Sequence, residues 1–128
     1  MISGFISVAL GSVLGAVTRY FVSGFVARRV GETFPYGTLL INVSGALAIG
    51  IFAGLARDDT SLLAEPDPWL FAVTGFLGAY TTVSSFSLQT LSLARDGEGG
   101  RAALYVVVSV GVSLAAAALG FVLVDALK

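Results

Sequence analysis

Four long apolar stretches, separated by short polar segments, run through the 128-residue chain. They extend over Ile2 to Ala27, Tyr36 to Ala56, Trp69 to Ala94 and Ala102 to Leu127. As a helix, each is long enough to cross a hydrocarbon core, which requires roughly 20 apolar residues. Helices of a soluble protein keep one polar face, and the second and fourth stretches have none. The pattern therefore predicts an all-α membrane protein, with residues 1–128 forming a single domain of four transmembrane helices.

The middle of the third stretch is polar for its predicted depth. Residues 78–87 read GAYTTVSSFS, within a stretch that contains no charged residue. Hydrocarbon offers no partners to backbone and hydroxyl groups, so such a segment is tolerated only where it is buried in protein or lines a polar path. We therefore expect residues 78–87 to form the main functional segment of the protein.

Composition excludes several classes of function. Apolar residues make up 56% of the chain and charged residues 12%, and the chain has neither cysteine nor histidine. Disulfides, thiol chemistry and the commonest metal ligand are therefore excluded. Paired buried carboxylates and a phosphate-binding glycine loop are also missing, so we expect no catalytic residues and no enzyme activity. The near-neutral net charge, without a basic arm, gives no reason to expect a nucleic-acid partner.

Charges in the loops bias the orientation only slightly. Four spans place the termini and the middle loop on one side, and the first and third loops on the other. The first side carries Arg57 and Lys128, and the second carries Arg28, Arg29, Arg95 and Arg101. The positive-inside rule puts the second side in the cytoplasm, yet so small an imbalance also suits a short protein that inserts both ways. The orientation stays open.

The first stretch contains a charge within the predicted membrane region. Arg19 follows Gly11 and Gly15 at intervals of four residues, so the three lie on one helical face, and the glycines allow a neighbouring helix to approach closely. One interpretation is that the long Arg19 side chain reaches back to the interface. The other is that it faces a water-filled vestibule and attracts an anion. No acidic residue lies deep in any stretch to pair with it.

Polar side chains recur in the second and fourth stretches. Asn42 lies one turn after Thr38, and Tyr105, Ser109 and Ser113 are spaced four apart on one face of the fourth helix. A lone amide in apolar surroundings is costly, so Asn42 must either join helices or face a polar lumen. Together with the third-stretch hydroxyls, these groups suggest a shared polar track.

The predicted track suits a small anion better than a cation or a proton. Its groups are amide and hydroxyl donors with one arginine near a mouth, and carboxylates are missing. Phe86 lies among the hydroxyls, and the edge of an aromatic ring is the positive part of its quadrupole. An edge-on phenyl can therefore face an anion.

Three features together resemble the Fluc/CrcB family of fluoride channels. They are Arg19 after its glycine-rich face, the run GTLLIN at 37–42 and the run GFLGAYTTVSSFS at 75–87. The order, the separation and the four-span length match the family over nearly the whole chain. Each feature alone would be weak evidence.

The resemblance implies passive fluoride export through a multi-pass protein of the cell inner (plasma) membrane, which would reduce fluoride toxicity. It also implies a third helix broken near its middle and an antiparallel, dual-topology dimer with two pores, surrounded by membrane lipid. A structural sodium ion would lie at the dimer centre, bound by the backbone carbonyls of Gly78 and Thr81. The fluoride pathway would consist of Asn42, Phe86, Tyr105, Ser109, Ser113, Thr38, Thr82, Ser85 and Arg19.

One position departs from the family pattern, which reads Thr-Thr-Phe-Ser-Thr-Phe in the third span. This chain has Val83 where the first phenylalanine is expected. In the family, the two phenylalanines of each pore come from different subunits, so a homodimer would lack one ring in each pore. Three explanations stay open: a tolerated substitution, altered selectivity or conductance, or a heterodimer with a related subunit.

Two other classes compete with a channel. A small proton-coupled exporter needs a carboxylate in the membrane, and only Asp125, near the end of a span, comes close. A non-transporting scaffold would explain the small residues as helix packing, but not the donors gathered in three spans. Substitution of Asn42 or Phe86 separates the classes, because a channel should lose flux while still assembling.

Overall fold

The protein is a helical bundle in which the third apolar stretch is divided in two. The computed structural model describes residues 1–127, and Lys128, counted above among the loop charges, lies outside the described residues. The helices are α1 (Ile2–Val30), α2 (Tyr36–Leu55), α3 (Pro66–Trp69), α4 (Gly78–Tyr80), α5 (Val83–Arg95) and α6 (Gly99–Ala126). A 3₁₀ turn covers Leu62–Ala64, and the π-helix Leu70–Leu77 joins α3 to α4. We call the run 66–80 the first half-helix and α5 the second half-helix.

Within residues 1–127, three helices are each long and apolar enough to cross a membrane, namely α1, α2 and α6. The third stretch supplies no continuous spanning helix, because Thr81 and Thr82 interrupt it between the two half-helices. The interruption lies where the family resemblance implies one. The other three stretches match their predicted bounds to within three residues. The chain is thus an all-helical, multi-pass membrane protein.

The interruption follows from the two consecutive threonines. Thr81 and Thr82 adopt extended backbone conformations, with ψ of 162° and 124°. The Thr82 hydroxyl then accepts the backbone N–H of Ser85 at 3.1 Å and caps the start of α5. β-Branched residues suit extended backbone, and a threonine hydroxyl is a good N-cap. The local sequence therefore ends one helix and begins the next.

Glycines bring α1 against the first half-helix. A Cβ atom on Gly11 would overlap the carbonyl oxygen of Phe71, and one on Gly15 would overlap that of Phe76. Gly75 meets α1 from the opposite side in the same way. This close approach is the packing predicted from the spacing of Gly11 and Gly15.

A second glycine contact joins α2 to α6. A Cβ atom on Gly50 would overlap the carbonyl oxygen of Ala117, and one on Gly120 would overlap that of Leu47. A Cβ atom on Gly54 would lie 2.9 Å from the Val124 Cβ atom, which is also too close for an ordinary contact. The bundle therefore consists of two tightly packed pairs, with the interruption of the third stretch between them.

Polar contacts join the loops at each end of the bundle. At one end, Arg57 forms an ion pair with Asp125 at 2.8 Å. At the other end, Arg101 donates to the Thr33 carbonyl oxygen at 3.0 Å and forms an ion pair with Glu98 at 2.6 Å. The middle loop and the C-terminal end of α6 therefore share one end, and the first and third loops share the other, as predicted.

Candidate functional site

Side chains from α1 and α2 bind the backbone at the interruption. The Asn42 amide nitrogen donates to the Thr82 carbonyl oxygen at 2.9 Å, and the Asn42 amide oxygen accepts the Thr82 N–H at 2.8 Å. Arg19 donates to the Thr81 carbonyl oxygen at 3.2 Å. The intramembrane charge of Arg19 is thus directed at the interruption rather than at the interface. Asn42 joins two helices, which was one of its two interpretations.

A cavity of about 720 Å³ opens beside these contacts, and we call it the arginine cavity. Arg19 and Arg28 line it together with Glu32, so cations outnumber anions in its wall. Thr38, Thr82 and Ser85, three of the predicted pathway residues, also line it. Such a cavity can attract a small anion and offer it hydroxyl donors.

A second space of about 460 Å³, which we call the break groove, lies on the other side of Thr82. Its lining includes the predicted residues Asn42, Thr82, Phe86, Ser109 and Ser113. Most of the remaining lining is apolar. Eight of the nine predicted pathway residues, all except Tyr105, therefore line at least one of these two spaces, and Thr82 lines both.

Tyr105 is placed differently from the other predicted pathway residues. It is fully buried, lines neither the arginine cavity nor the break groove, and donates from its hydroxyl to the Gln89 side-chain oxygen at 3.1 Å. The Phe86 ring packs on it with centroids 5.3 Å apart. In this structure Tyr105 thus packs against the Phe86 ring and does not itself line either space.

Gln89 is a polar residue that the sequence-based interpretation missed. It accepts the Tyr105 hydroxyl and lines a third cavity of about 450 Å³ near the first and third loops, where Thr38 is also found. Two features of the sequence could have identified Gln89. It lies three residues after Phe86, on the same side of a helix, and it is the one amide side chain of the third stretch.

Ser109 is the most unusual hydroxyl of the break groove. Its oxygen is buried and makes no hydrogen bond of standard geometry among residues 1–127, and the Tyr105 hydroxyl is the polar side chain that lies near it. Buried hydroxyls nearly always have a partner, because leaving one unpaired costs about 1–3 kcal/mol. Ser109 therefore offers a hydroxyl that a polar solute in the groove could satisfy.

Val83 lies at the open side of the break groove. Its side chain lines the groove and is 76% exposed, whereas Phe86 is half-buried against Tyr105. In a membrane, lipid or another protein chain must cover so exposed an apolar residue. The groove of a single chain is thus open on the side of Val83.

Gly78 and Thr81, implied as sodium ligands, both line the break groove at the end of the first half-helix. A helix C-terminus leaves carbonyl oxygens without helical partners and carries partial negative charge, which suits a cation. Neutral oxygens are also suitable ligands for a hard cation. The Thr81 oxygen already accepts a hydrogen bond from Arg19. Residues 1–127 hold no acidic cluster that could bind a metal, so two carbonyls per chain would need ligands from a second chain.

Known proteins resemble this chain over most of its length. A family model described as "CrcB-like protein, Camphor Resistance (CrcB)" matches residues 6–121. A protein of Bradyrhizobium diazoefficiens named "Fluoride-specific ion channel FluC 2" is 62% identical over 127 residues, covering 99% of this chain and 93% of its own. A FluC 2 of Rhodopseudomonas palustris is 60% identical over 94% of this chain and 92% of its own. A FluC of Opitutus terrae is 48% identical over 92% and 89%.

Proposed function

Because this chain belongs to the CrcB family, we propose that it acts as a fluoride-specific ion channel. The relatives named above carry that function in their names, and their similarity extends over almost the whole chain. A channel also agrees with the expectation that the chain is not an enzyme. The transported ion is fluoride, and the protein is a multi-pass membrane protein.

The position of Thr82 is the observation that supports a pathway most directly. Thr82 lines both the arginine cavity and the break groove, so both spaces border the interruption of the third stretch. We place fluoride entry at Arg19, followed by the hydroxyls of Thr82 and Ser85. The ion then passes Asn42 and Phe86 and reaches Ser109 in the break groove. Each of these side chains offers an N–H, an O–H or an aromatic ring edge toward an anion.

Passive flow is sufficient for export. Among the residues that the structure describes, no carboxylate lies deep in a span to serve a coupled proton, since Asp125 lies at the end of the bundle in an ion pair with Arg57. A potential that is negative inside favours anion exit by about 2.3 kcal/mol per 100 mV. We therefore propose that the protein releases fluoride from the cytoplasm across the inner membrane and thereby reduces fluoride toxicity.

A second subunit would complete the open side of the break groove. The exposed Val83 and the incomplete carbonyl set of Gly78 and Thr81 support an antiparallel dimer that shares one central sodium ion. When bound, that ion would neutralise the negative end of the first half-helix. A related chain with phenylalanine at the Val83 position is the alternative partner, because it would supply the missing ring to one pore.

The test is fluoride efflux from liposomes that contain this chain alone. The vesicles are loaded with fluoride or chloride, the potential is clamped, and the released anion is recorded with a selective electrode. We expect rapid fluoride loss without chloride loss. The variant Phe86→Leu should slow this loss by about tenfold or more, because it removes the ring edge from the groove. Phe5→Leu, at an exposed position of α1, is the matched control and should leave the flux unchanged.

Each result has a distinct meaning. Selective flux would establish a self-sufficient homo-oligomeric channel and make Val83 a tolerated substitution. Silence from folded protein, followed by flux when a related subunit is added, would establish the heterodimer. Silence in both reconstitutions would contradict the channel and leave the scaffold.

A further inference from the structure

We infer that Asn42 is a positioning residue that holds the helix interruption in its extended conformation, in addition to any contact it makes with fluoride. Its side-chain carboxamide binds both backbone groups of one residue, because the amide oxygen accepts the Thr82 N–H and the amide nitrogen donates to the Thr82 carbonyl. Two neighbouring antiparallel strands exchange the same pair of bonds. We call this pair of hydrogen bonds the Asn42 clamp.

The clamp supplies hydrogen-bond partners to backbone groups that the interruption leaves without helical partners. In a continuous helix the Thr82 N–H would bond the Gly78 carbonyl, but the extended backbone at Thr81 and Thr82 removes that bond. Thr82 is 8% exposed, so its backbone groups have little access to water. Unpaired backbone groups at membrane depth are strongly unfavourable. Asn42 supplies both missing partners from a neighbouring helix.

The packing around the clamp also holds Thr81. Gly45 lies one turn after Asn42 on α2, and a Cβ atom there would overlap the Thr81 methyl group. α2 therefore presents a recess for Thr81 and, beside it, a clamp for Thr82. Arg19 binds the Thr81 carbonyl from α1, on the other side. Two helices of the same chain thus fix the two residues that interrupt the third stretch.

The clamp changes what Asn42 can offer to an anion. Its amide nitrogen carries two hydrogens, and the Thr82 carbonyl takes one of them. One N–H remains, with its direction set by the clamp, on a side chain that lines the break groove. This consequence rests on the proposed function, whereas the clamp itself rests only on the contacts of Asn42.

Hydrogen–deuterium exchange at the Thr82 amide tests the clamp in the reconstituted full chain. Thr82 lines the arginine cavity, so its N–H can meet water once it is released. Asn42→Leu should accelerate exchange about tenfold or more, because the amide loses its acceptor. Asn42→Asp should keep Thr82 protected, since a carboxylate oxygen still accepts the N–H, and yet abolish fluoride flux through its negative charge. Asn42→Ala replaces the leucine variant if that protein does not fold.

Ser44→Ala is the matched control. Ser44 lies two residues along α2 and contacts the Tyr80 hydroxyl at 2.9 Å, so its removal disturbs the same helix pair without touching Thr82. Thr82 exchange should therefore stay at the wild-type rate in this variant. Equal Thr82 exchange in wild type and Asn42→Leu, or equal acceleration in Ser44→Ala, would overturn the clamp. Because exchange is read independently of flux, fluoride silence of the wild-type chain both alone and with a related subunit would contradict the proposed function and leave this test intact.

Discussion

Ser109 is the residue at which structure and function make opposite demands. Its buried, unpartnered hydroxyl is a cost to the folded chain, and it lines the groove through which we place fluoride. We expect Ser109→Ala to raise the free energy of unfolding by about 1 kcal/mol, because a buried polar group without a partner is removed. The same variant should slow fluoride efflux. Thermal unfolding in detergent and liposome efflux measure the two effects.

A hydroxyl that does have partners provides the comparison. Ser44 bonds the Ile41 carbonyl and the Tyr80 hydroxyl, so Ser44→Ala should lower stability rather than raise it. If Ser109→Ala also lowered stability, the Ser109 hydroxyl would have a partner in the assembled protein. Its role as a free donor in the groove would then be wrong.

At the scale of the elements, glycines determine how closely the helices approach. Gly15 leaves no room for a methyl group against the Phe76 backbone. We expect Gly15→Ala to lower the free energy of unfolding by about 1–3 kcal/mol, as overpacking commonly does. It should also lower flux, since the first half-helix leads into the interruption. Denaturation in detergent and efflux from liposomes measure these losses.

Gly111 is the control for this prediction. It lies within α6, and a Cβ atom there meets nothing within 4 Å. Gly111→Ala should therefore not lower stability, and the higher helix propensity of alanine should raise the free energy of unfolding by about 0.5–1 kcal/mol. Equal losses for the two alanine variants would show that the effect comes from the change of residue type and not from the contact with Phe76.

At the scale of the whole molecule, the orientation in the membrane decides which dimer can form. The chain has no cysteine, so Thr33→Cys in the first loop and Asp59→Cys in the middle loop each introduce a single thiol at an exposed position. An antiparallel homodimer predicts that a membrane-impermeant maleimide labels both variants from outside to comparable extents. Neither substitution changes the count of arginine and lysine that biases insertion.

Labelling of only one variant would establish a single orientation. That result would contradict the antiparallel homodimer and leave a partner chain of opposite orientation as the remaining way to assemble two antiparallel subunits. Lysis of the cells before labelling is the control, because both thiols should then react fully.

Much of the architecture could be predicted from the sequence. Span lengths, the glycine contact at Gly11 and Gly15, and the polar segment at 78–87 all follow from local spacing and composition. Thr81 and Thr82 lie within that segment, where the family resemblance placed an interruption. These features could be predicted because a membrane helix must satisfy its own backbone, so the order of residues along one span already limits what that span can do.

The assignment of side chains to partners was decided only by the tertiary structure. Spacing placed Tyr105 with Ser109 and Ser113 on one helical face, but only the structure shows that the Tyr105 hydroxyl bonds Gln89 and that its ring packs on Phe86. Spacing also left Arg19 and Asn42 each with two interpretations, and both residues bind the backbone of the interruption. Sequence alone determined which residues are polar and on which helical face they lie. Which of them meet was decided by packing, because a hydrogen bond between helices depends on the distance and rotation of two segments far apart in the chain.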